Sequence, residues 1–94
     1  MSKAHLTSAR VRELLDYSHE SGEFHWLQPR GANTPQGALA GTYTRAGRVR
    51  IGIDGANYPA EELAWLYVHG EWPAGKLRHV NGQTWDNRIE NLTA

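Results

Sequence analysis

The chain has 94 residues, with ten basic and ten acidic side chains in balance; at that length folding buries roughly 60–65% of the unfolded surface, enough for one small domain with a modest core. An apolar content of 39%, with four Trp, four Tyr and one Phe, excludes a disordered chain, and the absence of cysteine excludes disulfides and zinc–thiolate sites. No apolar run reaches the roughly 18 residues that cross a bilayer, and the start Met-Ser-Lys-Ala-His has no apolar signal region, which predicts an intracellular protein without a membrane partner.

Leu6-Thr7 opens the first predicted helix, with Thr7 as N-cap and Leu6 stapled to Val11. Val11, Leu14 and Leu15 share a helical face, and the helix is expected to end near Asp16–Ser18. After the His19–Gly22 turn, residues 23–27 read as a short strand, with Phe24 and His25 on opposite sides. Residues 28–37, with two Pro and two Gly, read as an exposed loop. Residues 39–54 predict a hairpin turning at Ala46-Gly47, with Val49, Ile51 and Ile53 inward and Arg48, Arg50 and Asp54 on the other face. Asp54-Gly55 is a two-residue turn into a third strand ending at Tyr58. Pro59 suits the first position of a second helix, Glu61 and Glu62 suit its positive end, and Gly70 suits its C-terminal cap. Leu63, Leu66 and Tyr67 are its expected buried face, with Trp65 beside them. A short apolar run follows at Leu77–Val80, and a polar tail carries the two anchors Ile89 and Leu92.

Charge is divided unevenly along this plan. Residues 1–50 hold seven basic and four acidic groups, whereas residues 51–94 hold three basic and six acidic. Long-range steering toward DNA is therefore weak, and only a local strip remains in Arg45, Arg48 and Arg50, which suits either phosphate contact or a solvated sheet face. The chemistry-bearing stretch is His79–Leu92, where one His, three Asn and one Asp surround a tight Asn81-Gly82 turn. Asn and Asp bond their own backbone, so such a stretch forms a compact irregular loop, and fixing turns is one complete account of it.

Several motifs taken together resemble a known family. They are Leu63-Ala64-Trp65, His69-Gly70-Glu71-Trp72-Pro73, His79-Val80-Asn81-Gly82 and Asp86-Asn87-Arg88-Ile89-Glu90-Asn91-Leu92, preceded by Ser21-Gly22-Glu23-Phe24-His25-Trp26 and Val49–Gly55 in the same order. The sequence is similar to the phage-type HNH (ββα-metal) homing endonucleases, as a degenerate or truncated member. The resemblance implies an α+β fold: an N-terminal helix and three-stranded antiparallel meander in residues 1–58, then a helix and an HNH-like motif lacking its final helix in residues 59–94. It implies DNA nicking with one divalent ion, Mg2+ or Mn2+, with His79 as general base because imidazole takes a proton near neutral pH. Asn81, Asp86, Asn87 and Asn91 match the positions that shape the loop, and Arg78 and Arg88 join the hairpin arginines as nucleic-acid contacts.

Three departures oppose the resemblance. Arg78 stands where the family often has a metal-ligating Asp or Asn, Glu61-Glu62 stands where it has His-Arg, and the family's last helix would lie past Ala94. The metal ligands are accordingly left unknown. Two functions are expected. One is a DNA-binding HNH-type protein with weak, partner-dependent or absent nicking, acting on double-stranded DNA. The other is a non-catalytic phage-encoded inhibitor, of anti-CRISPR or polymerase-blocking type. It would hold a host protein complex in the bacterial cytoplasm through Trp85, Glu61 and Glu62.

Overall fold

A computed structural model describes residues 6–31 and 33–94; the expectation of no signal region at residues 1–5 lies outside the described residues. Helix α1 spans Ser8–Leu14, and the Thr7 hydroxyl accepts from the Arg10 N–H at 3.2 Å as its N-cap. Leu6 and Val11 are both buried, as the staple requires. The helix stops earlier than expected. Leu15 turns extended and begins β1, Leu15–Tyr17, which pairs antiparallel with β2, Phe24–Trp26. Leu15 and Tyr17 are buried with Asp16 exposed between them, so a period of two takes over from the helical period once a partner strand is present.

β3 (Thr42–Tyr43), β4 (Val49–Ile53) and β5 (Ala56–Pro59) form the expected antiparallel meander. Its second turn places both Asp54 (φ 51°) and Gly55 (φ 85°) in the left-handed region, the requirement that selects Asp-Gly in a two-residue hairpin. Pro59 closes β5 and serves as the N-cap of helix α2, Ala60–His69, one position before the place assigned to it. Gly70, at φ 81°, caps the other end, where Arg12 from α1 also donates to the Tyr67 carbonyl at 3.1 Å. Ala60, Leu63, Ala64 and Leu66 are buried, whereas Trp65 and Tyr67 are half-buried at the edge of the face. α2 packs on α1 and across β4 and β5, enclosing Val11, Leu15, Phe24, Ile51, Ile53 and Leu63.

The remaining chain forms β6, Arg78–His79, paired antiparallel with β7, Leu92–Thr93, which follows a 3-10 turn at Ile89–Asn91. Leu92 is buried and Ile89 packs against the core, as expected of the two anchors. Val80, the last residue of the apolar run, is 67% exposed, just beyond the end of β6. The architecture is α+β, two helices with small antiparallel sheets, and no helix among the described residues is long and apolar enough to cross a membrane.

Candidate functional site

β6 and β7 hold the two ends of an irregular loop. Their pairing sets His79 opposite Leu92, and the Val80 N–H donates to the Asn91 carbonyl at 2.8 Å, closing the loop's neck. Gly82, at φ 77°, makes the turn that lets its own N–H reach the His79 carbonyl at 3.0 Å. Inside this frame the side chains satisfy one another. The buried Asn91 amide donates to the Asn81 side-chain oxygen and to the Asp86 carbonyl, both at 2.9 Å, and accepts from the Asn81 N–H at 3.0 Å. Asn81 donates to Asp86 Oδ2 at 2.9 Å and accepts from the Gln83 N–H at 2.9 Å. A loop without a repeating backbone ladder needs this substitution of side-chain partners, because buried polar groups left unpaired are costly.

Asn87, buried on the same loop, connects this frame to the histidine. Its Oδ1 lies 2.8 Å from His79 Nε2. In this arrangement Nε2 donates, and Nδ1 keeps the lone pair that could take a proton. The Asn87 backbone is held in turn from the N-terminal hairpin. Tyr17 donates its hydroxyl to the Asn87 carbonyl at 2.7 Å, and burial pushes the phenol up to about 12. Gly22, at φ 74°, leaves no room for a side chain: a Cβ there would lie 2.3 Å from the Arg88 nitrogen and 2.5 Å from the Asn87 carbonyl carbon. Thr84 ties the loop's far side to the β3–β4 turn by donating to the Gly47 carbonyl at 3.0 Å. Tyr17, Gly22 and Thr84 were missed as site-positioning residues. The turn at Gly22 was legible, but nothing in the sequence connected it with residues 87–88.

The predicted cations divide into two groups. Arg45, Arg50 and Arg78 are exposed, and Arg78 lies on the face of β6 opposite His79 because successive strand residues alternate. Arg48 instead reaches Glu61 at 3.2 Å, and Arg88 grips both oxygens of Asp86 at 2.8 Å. These two guanidinium groups each hold an internal carboxylate while remaining about a third or more exposed. Glu61, read as a partner-facing acid, is buried against Arg48, and Glu62 beside it is half-buried, so the pair forms no exposed acidic patch. Trp85 is exposed, at 53%. His69 lies at the end of α2 with its ring 4.3 Å from that of Trp65, while His19 and His25 enter no part of the loop network.

A His that closes the first strand of a ββ pair, held by an Asn from the connecting loop, is the centre of this arrangement within a small α+β fold. Comparison with known families supplies the particular. Residues 58–94, from the end of β5 through α2 to β7, match the family model for HNH endonuclease. No curated protein and no solved structure matches the chain.

HNH domains are typically metal-dependent, and the donor set here does not fit a resident ion. Of the loop's carboxylates, Glu90 is exposed and Asp86 is buried. The Arg88 guanidinium, helped by Asn81, occupies both its oxygens and holds it well below the usual carboxylate range. Asn81, Asn87 and Asn91 spend their side-chain oxygens on protein donors. Among the described residues no three His, Cys, Asp or Glu groups converge to hold a metal, and a hard divalent ion requires several oxygen ligands.

Proposed function

We propose that the chain is a single HNH-like, DNA-binding domain whose His79 is a candidate general base and whose nicking is weak, partner-dependent or absent. The observation that carries this reading is the 2.8 Å contact between His79 and Asn87, within a loop whose polar groups are mutually satisfied. A base needs a fixed ring and a free lone pair, and the Asn87 contact supplies both by occupying Nε2. Exposed Arg45, Arg50 and Arg78 supply the phosphate contacts. Occupied oxygens around Asp86 support catalytic impairment: Mg2+ or Mn2+ would have to find ligands on the substrate or on a partner.

Exposed Trp85 and Val80 favour the second reading, a phage-encoded intracellular inhibitor that presents the HNH-like scaffold to a host protein complex. Supercoiled-plasmid nicking with Mg2+ or Mn2+, compared with His79→Ala, separates the two. Nicking abolished by the substitution establishes the base. Background nicking by both proteins, with no affinity for duplex DNA, supports the inhibitor. With two or three phosphate contacts, the DNA affinity falls with log–log salt slope of about −2 to −3.

A further inference from the structure

Beside the loop network lies a cavity of about 210 Å³, bounded by the β1–β2 turn, the β3–β4 hairpin and the loop after β6. Phe24, Val49, Ile51 and Ala60 give it an apolar lining. Tyr43 and Trp85, on two separate elements, also line it and remain 68% and 53% exposed. Its polar lining includes Ser21, Glu23 and Asn87. We infer that this cavity takes one nucleobase turned out of the DNA stack, an inference that rests on the DNA-binding reading above.

Three features select that occupant. The volume lies below the roughly 300–1,000 Å³ of pockets that enclose a drug-sized ligand, and suits one planar ring system. The exposed rings of Tyr43 and Trp85 offer stacking surfaces that accept any base, since every base has a π-face. The Glu23 carboxylate repels phosphate, yet it can accept from an exocyclic amino group, so the charge favours a base over a phosphate. The surroundings fit as well. Thr84, the residue before Trp85, donates to the Ala46 and Gly47 carbonyls of the hairpin turn next to the exposed Arg45, which ties the Trp85 wall to the hairpin. Asn87 both lines the cavity and contacts His79 Nε2, so one buried side chain joins the cavity wall to the imidazole.

Extruding a base costs least where it is already unpaired. The test compares the 94-residue protein's affinity for a matched duplex and for the same duplex with one bulged, unpaired adenine. The expected result is a roughly 5- to 100-fold preference for the bulged duplex. Trp85→Ala and Tyr43→Ala should each erode that preference while leaving matched-duplex affinity unchanged, whereas Arg50→Ala weakens both alike. Both aromatic positions are exposed, so these variants retain the fold, which circular dichroism checks. Equal affinity for the two duplexes overturns the cavity assignment and leaves DNA binding standing. A bulge preference that survives both aromatic substitutions overturns it too, since bend and not the base is then being read. No binding to either duplex overturns the DNA reading and the cavity together.

Discussion

Residues 6–69 and residues 78–93 are held by different physics. In the first region buried Leu, Ile, Val and aromatic side chains lie between two helices and short sheets, and polar groups serve mainly at caps and turns. In the second, the neck strands are two residues each, and a network of Asn, Asp, His and Arg side chains supplies the partners that a longer ladder would give. Apolar packing is tolerant of sequence and acts through total burial, whereas a polar loop depends on each partner in turn. The consequence is that the loop requires outside support. Tyr17 and Gly22 on the framework press against Asn87 and Arg88, so the first hairpin supports the loop although it lies outside the residues that match the family model.

The largest expected effect falls where the two regions meet. Gly22→Ala introduces a Cβ into backbone of residues 87–88 at a positive φ, and should cost roughly 3–5 kcal/mol, measured as loss of thermal stability. Leu63→Ala, inside the framework, should cost roughly 2–5 kcal/mol and lower the global transition. Asn91→Ala removes partners from Asn81 and the Asp86 carbonyl, costing roughly 2–4 kcal/mol. Amide hydrogen exchange distinguishes these last two: Leu63→Ala should speed exchange throughout, Asn91→Ala chiefly in residues 79–93. Uniform exchange in both variants would abolish the proposed division.

Tyr17→Phe should cost about 1–2 kcal/mol, and should shift the His79 ring resonances, because the Asn87 carbonyl loses its donor. Titration gives a gentler probe with opposite signs in the two regions. The Asp86 carboxyl is depressed in the folded protein, so its contribution is complete above the unfolded value near 3.9 and is lost as pH falls through the lower folded value. The Tyr17 phenol is raised to about 12, so its contribution is complete below about 10 and is lost as pH rises through 12. Thermal melts should therefore weaken at both extremes, and Asp86→Asn should remove only the acid limb. The smallest effect belongs to Trp85→Ala, within about 0.5 kcal/mol in stability, because that ring is half in solvent.

Elements governed by local chemistry were legible before the fold was seen. Thr7 as a cap, Asp54-Gly55 as a primed turn and Gly70 at the end of α2 follow from backbone preferences of single residues, and alternation at Val49, Ile51 and Ile53 marks the inward face of the meander. The concentration of His, Asn and Asp in residues 79–91 likewise marked the candidate loop, which lies within the residues that match the HNH endonuclease model. What was not legible depended on partners far away along the chain. Leu14-Leu15 continues a helical pattern until β2 arrives to make Leu15 a strand residue. Arg48, Arg88 and Glu61 read as surface charges, yet each finds an internal partner once the chain is folded. Sequence alone determined the elements and the loop's chemical inventory, because caps, turns and periodicity act within a few residues. Tertiary structure decided which lone pairs stay free, since Tyr17, Gly22 and Thr84 come to the loop only when separate segments share one core.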